Sequence, residues 1–313
     1  MKLGFALPAA GPWATAQNQI RLAQRAEELG YHSVWTFQRL LYPLNPRNDY
    51  PSAPGEPWPA LFRSVVDPIV TLALVAGVTE SIRLGTAVLN MPYYAPVVLA
   101  KQLTTLDLVS GGRLDVGVGL GWSEDEYEAC GVPFRDRGER ADEFLRCLIA
   151  LWSEDPVEFE GRFYRVPQSI VLPKPVQSPH PPILLGGYAP ATIRRAAALA
   201  DGYVGGNVPL AQVAPLVSQL REAAVGAGRD PDAVRTVSRG AVRLLDEPQG
   251  DDRRPLWGSL GEIKEDIVRY QEAGLTELFI EMNFDPEIAG PDADPKRSLD
   301  KALVLLEELA PPA

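Results

Sequence analysis

The constraint that most narrows the fold of this 313-residue chain is a rhythm. Eight times, a short β-branched and apolar run gives way to a longer run with apolar residues at helical spacing. The most legible turn of it lies between Ser81 and Trp122, where Ile82 to Leu89 is a strand, Ala95 to Val109 a helix and Leu114 to Val118 a second strand. Two parallel strands joined by a helix make one βα repeat. Further strands are predicted at Lys2 to Pro8, His32 to Phe37, Pro182 to Leu185, Gly202 to Gly206, Arg235 to Leu245 and Glu277 to Met282. Helices follow them, among them Thr15 to Leu29, stopped by Gly30, and Asp67 to Val78, opened by an Asp-Pro cap. Eight consecutive units without a second hydrophobic register predict one α/β domain over 1–313, a closed TIM-type (β/α)8 barrel rather than a doubly wound sheet. One insertion breaks the rhythm after the fourth strand, over 153–181, and its stretch from Val157 to Val176 reads as a hairpin.

Composition excludes several classes of function. A net charge of -11 argues against a nucleic-acid or anionic-membrane partner, and no run reaches the roughly 18 apolar residues of a membrane span. Two cysteines, Cys130 and Cys147, do not make a disulfide framework, and Met1-Lys2-Leu3 leads straight into a strand, so a cytoplasmic protein is expected. With only His32 and His180, a histidine-rich metal site or a Ser-His-Asp triad is not expected, and both histidines read as structural. The proline-rich segment from Leu41 to Pro59 has the length of a functional lid or of a disordered loop, and its aromatics Tyr42, Tyr50 and Trp58 favour the lid.

In such a barrel, chemistry gathers where the strands end. The residues there are Gln38 and Arg39, Asn90, Gly121 to Asp125, Gly186-Gly187-Tyr188, Gly205 to Asn207, Arg243, and Glu281 to Asn283. The alternation Gly117, Gly119, Gly121 strips side chains from one strand face, which suits close approach of a flat ligand or of another backbone. Leu184 to Thr192 carries a strand through Gly186-Gly187 into a helix start. That turn suits a phosphate, or it merely lets the chain bend.

Six stretches in this order resemble the luciferase-like oxidoreductase family: Leu29 to Trp35, SIRLGTAV with Pro92, Leu99 to Trp122, Ala150 to Tyr164, Lys174 to Gly187 and Arg194 to Val204. The resemblance implies a TIM-type barrel that binds FMN or the deazaflavin coenzyme F420, commonly as a homodimer. It implies that Ala87 and Val88 form a bulge under the ring, at a non-prolyl cis peptide in members that use the deazaflavin. It further implies Asn90 at the ring edge, Gly121, Trp122 and Asp125 on the bordering loop, and Gly186, Gly187 and Tyr188 at the phosphate.

One departure bears on chemistry. Deazaflavin users of the family often end strand two with Asp-His, whereas Gln38-Arg39 stand here as the candidate catalytic pair. Arginine keeps its proton at any working pH and cannot relay one as histidine does, although it can hold an anionic group. Its other reading is a salt bridge to a lid carboxylate such as Asp49. The expectation is therefore hydride transfer between F420 and a small organic substrate, with reduction favoured. The alternatives are an FMN-dependent monooxygenase fed by a flavin reductase, and a cofactor-binding protein without catalysis.

Overall fold

The computed structural model describes residues 1–312. Eight parallel strands form its centre: β1 (Lys2–Ala6), β2 (Ser33–Thr36), β3 (Arg83–Thr86, resumed at Leu89–Asn90), β4 (Leu114–Gly119), β5 (Ile183–Gly186), β6 (Gly202–Gly205), β7 (Arg235–Ala241) and β8 (Glu277–Glu281). They pair in the order β3–β2–β1–β8–β7–β6–β5–β4, and β4 returns to β3, closing the TIM-type barrel. Around it run α1 (Ala16–Glu28), α2 (Pro68–Ala76), α3 (Pro96–Val109), α4 (Arg137–Ser153), α5 (Pro190–Leu199), α6 (Leu210–Gly226), α7 (Leu260–Glu272) and α8 (Pro295–Glu308). Their starts follow local chemistry. Thr15 accepts from the Asn18 N–H ahead of α1, Asp67 accepts from Val70 N–H with Pro68 as first helical residue, and Ser259 and Glu262 form a reciprocal capping box on α7. Among the described residues no helix is long and apolar enough to cross a membrane.

Side chains fill the barrel interior. Ala6, Trp35, Leu184, Val204, Val237 and Phe279 meet there, and the Trp35 and Phe279 rings stack at 5.0 Å. Glycine makes room for the indole on both sides: a Cβ on Gly85 would come within 2.3 Å of the Trp35 ring, and one on Gly4 within 3.0 Å of its Nε1. Below this layer the amino-terminal end is closed by charge. Fully buried Asp115 receives Arg83 through Nε (3.0 Å) and Nη2 (2.6 Å), and Arg235 through Nη1 (2.8 Å) and Nη2 (2.9 Å). Arg235 also reaches Glu277 at 3.2 Å, and Glu277 accepts the Trp35 indole N–H at 2.9 Å.

Two expectations are corrected. The seventh strand does not run to Leu245: its neighbour β8 ends at Glu281, so beyond Ala241 the chain leaves the wall, and Arg243–Leu244 pairs instead with Trp257–Gly258. The insertion holds the antiparallel hairpin expected, packed against α4, but it is shorter than Val157 to Val176: its strands are Val157–Glu160 and Arg165–Ser169, and the proline-rich stretch that follows takes no part in the pairing. Glu143 of α4 is its anchor, accepting the N–H groups of Arg162 (3.0 Å), Phe163 (2.7 Å) and Tyr164 (2.6 Å).

Burial works to raise the Asp115 carboxyl, but hydrogen bonds from Arg83 and Arg235 outweigh it and hold the group below its ordinary value of 3.8. Its stabilising contribution is therefore complete above pH 3.8 and fades as pH falls through the lower folded value. Asp115→Asn is expected to cost about 3 kcal/mol in urea unfolding at neutral pH, because two guanidinium groups lose their shared partner. The gap between variant and wild type should narrow on acidification, and a constant gap down to strong acid would contradict this account.

Candidate active site

The carboxyl-terminal mouth of the barrel holds a cavity of about 300 Å³, the lower end of the range for small-molecule sites. Its floor is made by the interruption in β3. Leu84 pairs with Leu114 but Leu89 with Val118, so one residue more is accommodated on β3 than on β4. The extra length forms a bulge at Ala87 and Val88, whose peptide bond is cis. A Cβ on Gly117 would lie 1.7 Å from the Thr86 carbonyl oxygen, and Thr86 Oγ1 both receives Gly117 N–H (2.9 Å) and donates to its carbonyl (2.8 Å). Val88 then settles between Gly119 and Gly186, since a Cβ on either would fall 2.8 Å from a Val88 methyl. Of the two readings of the glycine alternation, the close approach of another stretch of chain is the one found at Gly117 and Gly119.

Gln38, almost fully buried, ties β2 to the resumed β3: its Oε1 accepts Asn90 N–H at 2.9 Å and its Nε2 donates to the Tyr94 hydroxyl. Burial pushes that phenol up to about 12. Arg39 does not meet Asp49, whose carboxylate accepts Gly55 N–H instead. Its guanidinium lies over the rings of Trp122 (4.6 Å) and Phe62 (5.6 Å), with Nη1 3.3 Å from the Glu126 carboxylate but misaligned for a hydrogen bond. Glu126 is wholly buried and also accepts Leu40 N–H (2.7 Å) and the Tyr93 hydroxyl (3.1 Å).

The opposite end of the cavity is the turn from β5 into α5. Gly187 has φ +145°, and a Cβ there would meet the Thr192 hydroxyl at 2.9 Å. Helix α5 begins with Pro190, which brings no N–H, and has no side-chain cap; Thr192 N–H turns to the Ala189 carbonyl (2.8 Å), so the Ala191 N–H and the positive end of the helix face an anion there. Tyr188 bridges to the Gly206 carbonyl at 2.7 Å. The lid closes the front: Tyr50, Pro51 and Ser52 line the cavity, and Tyr50 and Trp58 pack on Trp122 at 5.3 and 4.5 Å.

The structure thus gathers Gln38, Arg39, Ala87, Val88, Asn90, Gly121, Trp122, Gly186, Gly187 and Tyr188 around one cavity. Asp125 is elsewhere: its carboxylate accepts the Arg47 N–H of the lid at 3.1 Å. Neither histidine reaches the mouth. His32 sits by the buried ion network, where burial drops its imidazole to about 4, and His180 packs on Trp152. Glu281 and Asn283 are structural, the amide accepting Ala9 N–H (2.9 Å) and donating to Leu7 O (2.9 Å) and Glu281 (2.6 Å). Thr192, in the turn the sequence singles out for a phosphate, lines the cavity, whereas Arg137, Arg239 and the apolar wall of Phe37, Phe62 and Phe284 were missed by sequence reasoning. Strand alternation signals Arg239, two residues beyond inward-facing Val237. With Arg39, Arg137 and Arg239 the lining carries three arginines and no carboxylate, in a chain of net charge -11. Among the described residues no cluster of His, Cys, Asp or Glu suits a metal ion.

Residues 1–250 match the family model described as luciferase-like monooxygenase. An uncharacterized protein of Mycobacterium tuberculosis is 30% identical over 299 residues, 92% of this chain and 93% of its own length. The FMNH(2)-dependent dimethylsulfone monooxygenase of Pseudomonas putida is 35% identical over 162 residues, 51% of this chain and 44% of that protein. Among solved structures, the monooxygenase RslO1 of Streptomyces bottropensis superposes with a TM-score of 0.80 at 26% identity, over 99% of this chain and 98% of the other. The coenzyme F420-dependent tetrahydromethanopterin reductase of Methanopyrus kandleri does so with 0.72 at 18%, over 98% and 97%, a likeness of fold. The chain belongs to the luciferase-like monooxygenase family, a family of oxidoreductases and monooxygenases.

Glu126→Gln is expected to lower stability by about 3 kcal/mol in chemical denaturation, since it strips a buried guanidinium of its counter-charge. Arg39→Met in the same background should recover part of the loss. Additive losses in the double variant would show that the two side chains do not depend on each other.

Proposed function

We propose that this chain is an oxidoreductase that holds the deazaflavin F420 in the mouth cavity and moves a hydride between it and a small organic substrate, reduction being the favoured direction. The observation that carries this reading is the floor: Val88, wedged between Gly119 and Gly186, forms an apolar shelf that leads directly to the uncapped turn at Gly187 and α5. A flat ring on the shelf and a phosphate at the turn fit that arrangement. Arg137, at the start of α4, forms no ion pair with a described residue and stacks on Phe134 at 3.8 Å. It favours a cofactor with negative charge beyond a single phosphate, which the deazaflavin's acidic tail supplies and FMN does not. When bound, such a cofactor supplies the hydride chemistry.

The protein's own part is placement and exclusion. Gln38 fixes the strand past the bulge, the lid aromatics keep water from the mouth, and Arg39 presents a fixed positive charge that stabilises negative charge developing beside it. With no imidazole and no carboxylate in its lining, and with burial holding the Tyr188 phenol above its ordinary value, the cavity offers no base suited to taking a proton from an alcohol at neutral pH. That favours reduction. The second reading, FMN-dependent monooxygenation with a partner flavin reductase, draws on the P. putida relative. We also propose a homodimer through α2 and α3, which pack side by side and expose Val70, Val97, Val98 and Val109. Cytoplasmic placement belongs to the same reading.

Titration with F420 and with FMN, followed by fluorescence, separates the two cofactors. F420 is expected to bind at least tenfold more tightly, and binding of FMN alone would overturn the assignment. Gly187→Val should weaken cofactor binding by more than tenfold while leaving the far-ultraviolet circular dichroism unchanged. Unaltered affinity would put the phosphate elsewhere.

A further inference from the structure

The cavity wall divides into two arcs. The bulge and Gly119, Gly121, Gly186 and Gly187 belong to β3, β4 and β5, whereas Phe37, Phe62, Phe284 and Arg239 stand across from them, on or beside β2, β7 and β8. We infer that this second arc receives the substrate, and that the substrate is an organic acid with an apolar or aromatic body whose carboxylate is held by Arg239. The inference names a substrate class for the reading above and rests on it for the cofactor's place.

Arg239 differs from the other arginine on this side. Arg39 has a carboxylate, Glu126, at 3.3 Å. Arg239 forms no ion pair with any described residue. Its guanidinium lies 4.1 Å from the centre of the Phe284 ring, Nη2 donates to the Gly206 carbonyl at 3.2 Å, and Nε is buried with no hydrogen-bond partner. The nearby acid does not complete it. Glu281 is fully buried, spends its oxygen on the N–H (2.8 Å) and amide (2.6 Å) of Asn283, and is raised above the usual carboxylate range by that burial. A guanidinium held against an aromatic ring with a donor left free is costly unless a ligand brings the missing charge, and its planar fork matches a carboxylate. Phe284 in turn packs on Phe37 (5.7 Å) and Phe62 (6.0 Å), a wall suited to the rest of such a molecule. Because Arg239 sits on a barrel strand and not on a loop, the charge is fixed in place and acts on specificity.

The test uses cinnamate and its neutral counterpart cinnamamide as probes, titrated into the full chain with and without F420 at pH 7.5 and followed by tryptophan fluorescence. The wild type should bind the acid at least tenfold more tightly than the amide. Arg239→Gln should bring the two within twofold, Arg239→Lys should keep the preference for the acid, and both variants should hold F420 as the wild type does. Equal affinity for acid and amide in the wild type, failure of the acid to bind, or a preference surviving in Arg239→Gln would overturn the inference. So would loss of F420 affinity in Arg239→Gln, which would give the arginine to the cofactor. A wild type that does not bind F420 at all would sink the cofactor reading, yet the comparison of acid with amide in cofactor-free protein would still stand or fall by itself.

Discussion

The mouth of this barrel depends on a mismatch of one residue. Between Leu84 and Leu89 the third strand is longer than its neighbour, and the surplus must go inward, where Val88 finds space only because residues 119 and 186 lack side chains. Gln38 then binds the far side of the bulge to the second strand, so the shelf is braced from two directions. The lower half of the barrel has no such slack. Trp35 and Phe279 fill it, and glycines on the flanking strands are used there to admit a large side chain. One residue type thus serves opposite ends: at the base it lets protein fill the cylinder, at the top it lets protein kink and leave room above.

Charge is divided along the same axis. At the base the guanidinium groups of Arg83 and Arg235 share Asp115, and Glu277 takes a further bond from Arg235; burying this network is tolerable because its charges are paired. At the mouth the acids are withdrawn from the lining, with Glu126 and Glu281 behind the wall and Asp125 turned to the lid. A strongly acidic chain thereby presents a basic interior to whatever enters.

The barrel was legible because strand and helix periods alternate eight times, and the caps at Asp67-Pro68 and the stop at Gly30 are local effects that need no tertiary knowledge. The end of β7 was not, because Val242 to Leu245 remains as apolar as a strand, and only the length of β8 beside it decides where pairing ceases. The glycine alternation was visible, but its purpose was not: Gly117 and Gly119 face Thr86 and Val88, contacts about thirty residues away in sequence. Gln38 and Gly187 lie just past strand ends, where position along the chain marks them, whereas Arg239 lies one turn of the pleat further down, inside β7. Asp125 lies on the right loop and faces the wrong way, a matter of side-chain direction that spacing along the chain does not carry.

Asn48 is the clasp of the lid. Its amide donates to the Trp122 carbonyl at 3.0 Å and accepts the Glu124 N–H at 2.9 Å, and with the neighbouring Arg47 N–H on Asp125 (3.1 Å) it pins the lid to the fourth loop. Chain on either side of that pin is under little further demand: Leu44 is 90% exposed, and the turns from Pro51 to Glu56 are held mainly by one another and by Asp49. Insertions and exchanges there can reshape the entrance while the clasp keeps its register, which gives descendants of this chain a way to change diet without rebuilding the hearth.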